Sequence, residues 1–410
     1  MSMRIHIAIP ACDEEQFLPR VLESLAQETY KDFVVWVCIN QPESWWNDPN
    51  KIAVCESNQR LLHFLQSFKS TYPFELRVLD CASRGKGWSG DKWGASLARK
   101  TLMDLISAES REEDIIMSLD ADTLVDEHYV SDGMEGFLRF PRAAALTFAY
   151  YHKLEGDENL RKSMIRYETY LRNYFLGLLN VNSPYSYVPI GSAFVVKVWA
   201  YKAVRGMPLR AAGEDFYFLQ KVRQVGFVLP FPEVVVYPAG RLSHRVLFGT
   251  GRALTYSFDE LCQRYPLFPS SSFQKLQEIY QEIQEVALTR KFEKGMLLCK
   301  YVSPAHISAI LENYKQPRHI EHALHIQFNA LEIYHLLKNS LGFYDEKIAV
   351  ADFLERTGLE CSENDLWDKP LPALEEFRKK LFEFERKFVR KKIELLQRKN
   401  KSWWKYLTCW

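Results

Sequence analysis

The stretch Ile115–Thr123 has the sequence I-I-M-S-L-D-A-D-T, and it decides the class of fold. Its apolar start is typical of a strand that is buried on both faces of a helix-covered sheet. The run stops at Asp120 and Asp122. Side chains at i and i+2 of an extended segment point the same way, and open α/β sheets bind ligands at the carboxyl ends of their strands. The sequence therefore predicts two carboxylates that face one point at a ligand-binding edge.

Two interpretations of this D-A-D motif stay open at this stage. Two carboxylates at one point repel each other unless a cation lies between them, and Mg²⁺ or Mn²⁺ prefers such oxygen ligands. The other interpretation is a polar turn that ends a core strand, with Asp122 capping the next segment. Because so short a motif often occurs by chance, the motif alone favours the polar turn.

The composition is that of an ordinary globular protein, without an excess of basic residues. The chain has 410 residues, a net charge of +1, 47% hydrophobic and 26% charged residues. This balance argues against a nucleic-acid partner. The eight cysteines are scattered without a C-x-x-C pair, so we predict reduced core residues of a cytoplasmic protein. No apolar run reaches the length of a membrane span.

Apolar periodicity indicates alternating strands and helices from the N-terminus to Asp122. Strands are predicted at Ile5–Ile9, Phe33–Ile39 and Phe74–Leu79, each followed by a helical pattern. This rhythm predicts an α/β fold with a doubly wound, mainly parallel sheet flanked by helices. Only helical patterning follows about Tyr256, so we predict a catalytic domain over 1–255 and an all-helical C-terminal region over 256–410.

The first strand is followed by a turn without glycine. Residues 10–15 read P-A-C-D-E-E, whereas a dinucleotide-binding turn needs G-x-G-x-x-G. Asp13, with Gln16 three residues later, predicts a helix N-cap. The absent glycine-rich loop also argues strongly against a sugar-phosphate nucleotidyltransferase, which is the alternative enzyme class.

Four motifs in order give the chain a family resemblance. They are I-P-A-C-D-E-E at 9–15, G-K-G at 85–87, D-A-D at 120–122 and G-E-D at 213–215. Their order and spacing resemble family 2 glycosyltransferases of the GT-A fold, over roughly residues 3–253. Each motif is weak alone, but the ordered set is specific.

The resemblance implies a metal-dependent, inverting transfer of a sugar from a nucleotide-diphosphate sugar to an acceptor hydroxyl. The acceptor would be a glycan or a lipid-linked molecule, in cell-surface glycan or glycolipid synthesis. By position, the resemblance assigns Asp215 as the general base, with Glu214 beside it. Pro10, Ala11 and Glu14 would line the nucleotide base, and Arg84, Gly85 and Lys86 would lie near the nucleotide base and the ribose. Asp120 and Asp122 would hold Mg²⁺ or Mn²⁺ on the diphosphate, with His244 a further candidate ligand.

The sequence departs from the family at two places. The second strand ends in Asn40-Gln41, where the family commonly has an acidic pair that binds uracil or ribose. The resemblance therefore does not decide which nucleotide base the donor carries. The Q-x-x-R-W signature of processive synthases is absent, which favours single transfer. Arg245 or Arg252 could neutralise the leaving diphosphate instead. The alternative for His244 is a solvated loop side chain, and the alternative for Arg252 is a surface ion pair.

A third hypothesis is a glycosyltransferase-like protein that binds without turnover. The absence of an aspartate from the D-A-D or G-E-D motif would favour this hypothesis, but Asp120, Asp122 and Asp215 are all present. The presence of all three ranks an enzyme above a silent binding protein.

The C-terminal tail carries a concentrated positive charge. Residues 375–410 hold twelve basic and five acidic residues and end in Trp403, Trp404, Tyr406 and Trp410, while apolar residues from Leu374 recur at helical spacing. A basic helix with terminal tryptophans suits peripheral contact with the inner, anionic face of a membrane. Packing of the helix on its own protein is the other interpretation, and the regular apolar stripe slightly favours packing.

Overall fold

The computed structural model describes residues 3–68, 70–90, 93–210, 212–242, 249–359 and 366–398. Its strands form where the apolar runs lie, and the D-A-D motif follows the fourth of them. The strands in the described residues are β1 (Ile5–Ala11), β2 (Phe33–Asn40), β3 (Glu75–Cys81), β4 (Ile115–Ser118), β5 (Leu124–Val125), β6 (Ala143–Tyr150), β7 (Lys153–Leu154), β8 (Phe194–Lys197), β9 (Phe227–Tyr237) and β10 (Ala239–Gly240).

The main sheet has eight strands in the order β3-β2-β1-β4-β8-β6-β9-β5. Its first four strands are parallel, and β8 runs antiparallel to both of its neighbours. A two-stranded sheet, β10-β7, stands apart from it.

Register places the first turn and the D-A-D motif at one edge of the sheet. In the β1–β4 pair, Ile5 aligns with Ile115 and Ala8 with Ser118. Because these strands are parallel, the residues that follow each of them emerge at the same edge. The turn that contains Glu14 therefore lies beside the motif.

Helices flank this sheet, and the described residues after β10 contain no further strand. The predicted α/β class, with its helical C-terminal region, is therefore confirmed. The helices are α1 (Leu18–Ala26), α2 (Ile52–Phe68), α3 (Ala95–Glu109), α4 (Tyr129–Arg139), α5 (Glu158–Asn180), α6 (Val198–Ala203), α7 (Glu214–Val225), α8 (Thr250–Ala253), α9 (Phe258–Arg264), α10 (Ser270–Thr289), α11 (Pro304–Asn313), α12 (Pro317–Gln327), α13 (Ala330–Asn339), α14 (Glu346–Thr357) and α15 (Leu371–Arg398).

The chain folds into two compact units. One contains residues 1–155 and 189–252, and the other contains residues 156–188 and 253–410. The first unit holds the sheet and is called here the sheet unit. The second, the helical unit, includes α5, which comes from the middle of the sequence. The division of the chain at residue 255 stays a prediction.

Helix α15 is amphipathic as predicted, and its apolar stripe is buried within the helical unit. Leu374, Leu381 and Val389 are at most 2% exposed. Glu168 of α5 accepts two hydrogen bonds from Arg378, from Nε at 2.6 Å and from Nη2 at 3.0 Å. This stretch of α15 thus packs on its own protein, with Phe384 and Phe388 of the same stripe half-buried.

The exposed positions of α15 up to residue 395 are mixed in charge. They include four lysines and three glutamates: Lys379, Lys380, Lys387, Lys391, Glu376, Glu383 and Glu394. The tryptophan-rich end of the tail lies outside the described residues. None of the described helices has both the length and the apolar character needed to cross a membrane.

Candidate active site

Each aspartate of the D-A-D motif is held by a different arginine. Arg99 Nη2, from α3, donates to Asp120 Oδ1 at 2.5 Å. Arg241 Nε, directly after β10, donates to Asp122 Oδ2 at 2.9 Å. These are charge-assisted hydrogen bonds, the stronger class in proteins. Asp122 therefore orients towards an arginine rather than capping the next segment.

Arg241 also binds Glu14, from the turn after β1. Its Nη2 lies 2.7 Å from both carboxylate oxygens of Glu14, and its guanidinium lies 4.1 Å from the centre of the Phe17 ring. The structure thus brings Glu14, predicted at the nucleotide base, together with Asp122 through one arginine.

Asp122 is poorly placed to carry its charge without a cation. Burial, and then the Glu14 carboxylate, raise the pKa of Asp122 to about 6, against the opposing effect of Arg241. A buried carboxylate beside other carboxylates favours its protonated form. A cation at this point stabilises the ionised form instead.

The G-E-D motif meets the D-A-D motif at Arg99. Gly213 has a φ of 70°, in the left-handed region that glycine adopts readily, and it precedes α7. Arg99 Nη1 lies 3.6 Å from Glu214 Oε1. Arg99 thereby contacts one carboxylate from each of the two motifs.

The Arg99 side chain is 3% exposed and is covered by Gly191. A Cβ atom at residue 191 would lie 2.8 Å from Arg99 Nη2 and 3.2 Å from Cζ. A glycine is therefore required for the backbone to lie this close to the guanidinium. The close approach gives a structural reason for a glycine at residue 191.

Asp215 has the electrostatic character of a base that works near neutral pH. Burial, and then the neighbouring Glu214, raise the pKa of Asp215 to about 7, against the opposing effect of Arg99. Asp215 is not the helix cap, because Gly213 holds the N-cap position of α7 without a side-chain bond. Its Oδ1 accepts from the Phe216 N–H at 2.8 Å.

The D-A-D aspartates fit a divalent cation that is shared with a substrate. The arginines described above engage Oδ1 of Asp120 and Oδ2 of Asp122, which leaves the second oxygen of each carboxylate for another cation. Mg²⁺ is commonly held by one or two carboxylates together with substrate phosphates. Within the described ranges no group of three or more His, Cys, Asp or Glu residues could hold a metal by itself. His244 lies outside the described residues.

The G-K-G loop is held by Glu43, a residue outside the sequence motifs. Glu43 Oε1 accepts from the Gly85 N–H at 2.8 Å, and Oε2 accepts from the Gly87 N–H at 2.9 Å. A Cβ atom at Gly87 would lie 2.7 Å from the Glu43 backbone. Gly87 therefore allows the close approach of residue 43, and the amides of Gly85 and Gly87 are used inside the protein.

The side chains of the same loop project from this fixed backbone. Arg84 lies over the Trp46 ring, 4.5 Å from its centre. Lys86 Nζ lies 3.0 Å from Asp80 Oδ2, and the Lys86 side chain is 61% exposed. A mostly exposed cation on an ordered loop suits contact with a charged ligand.

The Asn40-Gln41 pair forms part of the protein interior. Both residues are buried. Asn40 Nδ2 donates to the Ala11 carbonyl at 2.9 Å, and Gln41 Oε1 accepts from Asn58 Nδ2 at 2.8 Å. A carboxylate at residue 40 could not donate to that carbonyl, which explains physically why the acidic pair is absent.

The same network shows that the predicted Asp13 cap is wrong. Helix α1 has Phe17 at its N-cap, without a side-chain cap bond. Asp13 has a φ of 57°, and its N–H donates to Asn58 Oδ1 at 2.8 Å. The turn after β1 is thus tied to α2 before α1 begins. Pro10 and Ala11 are buried as the last residues of β1.

Comparison with known families agrees with this arrangement of motifs. The model of the glycosyl transferase family group 2 matches residues 115–309, a range that contains both the D-A-D and G-E-D motifs. Residues 115–309, just under half of the chain, are thus similar to family 2 glycosyltransferases. The predicted resemblance is confirmed, and the protein is a glycosyltransferase. Comparison with curated proteins finds no match.

Two solved structures are similar to this glycosyltransferase along most of its length. Residues 1–349 of TarS from S. aureus, in complex with UDP-GlcNAc, have 12% identity and a TM-score of 0.44, over 98% of this chain and 93% of that one. The mannosyltransferase PcManGT from Pyrobaculum calidifontis, in complex with GDP-Man and Mn²⁺, has 11% identity and a TM-score of 0.40, over 98% of this chain and 89% of that one.

Arg252, predicted near the diphosphate, lies on α8 of the glycosyltransferase and is half-buried. The start of this helix is joined to the end of β6, because His152 Nε2 and Thr250 Oγ1 are 3.1 Å apart. Arg245 belongs to residues 243–248, outside the described part of the chain. The role of either arginine stays a prediction.

Arg99, Arg241 and Glu43 were missed from the sequence. Arg99 had a detectable signal, since it shares a helical stripe with Leu102, Met103 and Ile106, all buried. A charged residue on the buried stripe of a helix needs a partner. Arg241 and Glu43 had no comparable signal, because Arg241 follows a two-residue strand and Glu43 begins a short 3₁₀ helix.

Proposed function

We propose that this glycosyltransferase transfers a sugar from a nucleotide-diphosphate sugar to an acceptor hydroxyl, with inversion at the anomeric carbon and with Mg²⁺ or Mn²⁺ held by Asp120 and Asp122. The observation that supports the proposal most is the meeting of two motifs at one buried guanidinium. Arg99 contacts Asp120 at 2.5 Å and Glu214 at 3.6 Å. The proposed donor and acceptor sides of the reaction are therefore adjacent.

Negative charge develops on the donor side of the reaction, at the leaving diphosphate. When bound, a divalent ion stabilises the charge that builds on the leaving diphosphate. Asp120 and Asp122 would hold it, and arginine side chains can pair with phosphate oxygens. The residues proposed to contact the nucleotide are Pro10, Ala11, Glu14, Arg84, Gly85, Lys86, Asp120 and Arg252, with His244 a further candidate metal ligand.

Asp215 is proposed as the base on the acceptor side. The acceptor oxygen forms a bond to the anomeric carbon as the bond from that carbon to the diphosphate oxygen breaks, and the hydroxyl proton passes to Asp215. A pKa of about 7 suits this role, because a base is most effective when its pKa lies near the working pH. One direct displacement inverts the anomeric centre.

The acceptor is proposed to be a glycan or a lipid-linked molecule of the cell surface. Peripheral contact with the cytoplasmic face of an anionic membrane stays a prediction about the tail beyond residue 398. The buried stripe of α15 limits such contact to the last residues of the chain and to exposed lysines.

A thermal-stability screen tests the donor and metal together. Nucleotide sugars with different bases are added with and without Mn²⁺, because a ligand that binds only the folded state raises its stability. We expect one class to raise the Tm further when Mn²⁺ is present. In Asp122→Ala the Mn²⁺-dependent part of that increase should disappear, whereas Glu15→Ala, in the turn beside Glu14, should keep it. An unchanged Mn²⁺ effect in Asp122→Ala would rule out the metal assignment.

A further inference from the structure

Arg241 places a permanent positive charge between two carboxylates of the candidate donor site. Its Nη2 is 2.7 Å from each oxygen of Glu14, and Asp122 Oδ2 is 2.7 Å from Nη2 and 2.9 Å from Nε. An arginine does not lose its proton in a protein. A single guanidinium therefore partly offsets the charge of Glu14 and Asp122 without any bound ligand.

The two arginines of the D-A-D motif differ in how firmly they are held. Arg99 is 3% exposed and lies against Gly191, so it is enclosed beside Asp120. Arg241 is 23% exposed, and the Phe17 ring lies against its guanidinium. The guanidinium of a partly exposed arginine can move while the aliphatic part of its side chain stays in place. Arg241 is thus the exchangeable partner of the pair.

A divalent ion on Asp122 would need the same negative charge that Arg241 neutralises. Asp122 has only two carboxylate oxygens, and one of them, Oδ2, already accepts from Arg241 Nε at 2.9 Å and lies 2.7 Å from Arg241 Nη2. A second cation at this carboxylate would be repelled by the guanidinium a few ångströms away. Metal and arginine therefore compete for Asp122 when no donor is present.

We propose that Arg241 is a resident cation of the donor-free enzyme, which keeps the affinity for the metal alone low and moves to the donor diphosphate when metal and donor bind together. The inference rests on the proposed metal site at Asp120 and Asp122. The diphosphate supplies the negative charge that the arginine gives up at Asp122, and guanidinium–phosphate pairs are often bidentate. Metal and nucleoside diphosphate should then bind cooperatively.

The test measures Mn²⁺ binding to the full chain by electron paramagnetic resonance. It compares wild type, Arg241→Gln and the control Arg60→Gln, each with Mn²⁺ alone and with UDP or GDP added. Arg60 is a matched control because it donates two hydrogen bonds, both of 2.8 Å, to Glu15 in the same turn. Arg241→Gln should bind Mn²⁺ alone about tenfold more tightly, within the usual range of coupling between sites. It should lose about tenfold in nucleoside diphosphate affinity at saturating Mn²⁺.

The expected sign distinguishes this proposal from a structural role. An arginine that only orders Asp122 and Glu14 would weaken Mn²⁺ binding when it is removed, so unchanged or weaker binding in folded Arg241→Gln would overturn the proposal. Arg241→Lys keeps the charge but loses the bidentate geometry, and it should give an intermediate affinity even if the glutamine variant folds poorly. Wild type that binds no Mn²⁺ with either nucleotide would overturn the proposed metal site as well. Binding to wild type without tightening in Arg241→Gln would overturn this inference alone.

Discussion

The sheet unit and the helical unit both bury arginines against carboxylates, but the balance of charge differs between them. In the helical unit three buried arginines each pair with a different carboxylate. The pairs are Arg166–Glu346, Arg172–Glu385 and Arg378–Glu168. In the sheet unit two arginines face five carboxylates. They are Arg99 and Arg241, with Glu14, Asp120, Asp122, Glu214 and Asp215.

The difference teaches where chemistry can occur. A balanced buried pair needs nothing further and serves the fold, and removal of one partner is strongly destabilising. A surplus of carboxylates has to be compensated by a proton or by another cation. The surplus in the sheet unit lies at the ends of β1 and β4 and at the start of α7, where the donor, the metal and the acceptor proton are proposed to bind.

The largest effect expected from this comparison is on the rate of transfer in Asp215→Asn. Asparagine keeps the size of the side chain but cannot accept the proton. Transfer should fall by on the order of 10² to 10⁴-fold, the usual worth of a general base, while donor binding stays as in wild type. Single-turnover kinetics and calorimetry measure the two quantities. If Asp215→Asn retains transfer, Asp215 is not the base, and Glu214→Gln is the next variant to measure.

In the helical unit a substitution should lower the stability of the protein and leave the rate of transfer unchanged. Glu168→Gln leaves Arg378 buried without its charged partner, and Arg172 Nη2 is 3.7 Å from the same carboxylate. We expect a loss of about 3–5 kcal/mol in the free energy of unfolding, with no change in the transfer rate per folded molecule.

Glu383→Gln makes the same chemical change on an exposed position of α15. It should change the free energy of unfolding by no more than about 0.5 kcal/mol. Equal stability of the Glu168→Gln and Glu383→Gln variants in urea would mean that the buried pair does not serve the fold.

A smaller effect concerns the pH dependence of stability. The pKa of Asp215 is raised from 3.8 to about 7, so the folded state binds this proton more tightly than the unfolded chain. The stabilising contribution of the proton is complete below pH 3.8 and is lost as the pH rises to about 7. Wild type should therefore lose stability relative to Asp215→Asn across this window. Urea unfolding of both proteins at several pH values measures the difference, and parallel curves would contradict the raised pKa.

Much of the sheet unit could be predicted from local pattern. The strand before Asp120 is apolar on both faces, and β6 has the bounds that its apolar run suggests. The glycine at 213 marks the start of α7. These features depend on residues close together in sequence, where periodicity and turn chemistry are informative.

The electrostatic partners in the site could not be predicted in this way. Arg241 is 227 positions from Glu14, and no spacing rule joins them. Asp13 failed as a cap because Asn58, 45 positions away, accepts its N–H. Long-range contacts of this kind depend on the tertiary arrangement, which a single sequence does not display.

The pH dependence of single-turnover transfer tests most directly whether Asp215 is the base. The rate is measured for wild type and Asp215→Asn between about pH 5.5 and 8.5, with saturating donor and Mn²⁺. Below the raised pKa of Asp215 the base is protonated, so the wild-type rate should fall about tenfold for each pH unit and reach a plateau above that pKa. The residual rate of Asp215→Asn should be independent of pH over the same range. A flat wild-type profile, or the same acidic decline in the variant, would contradict the assignment of Asp215.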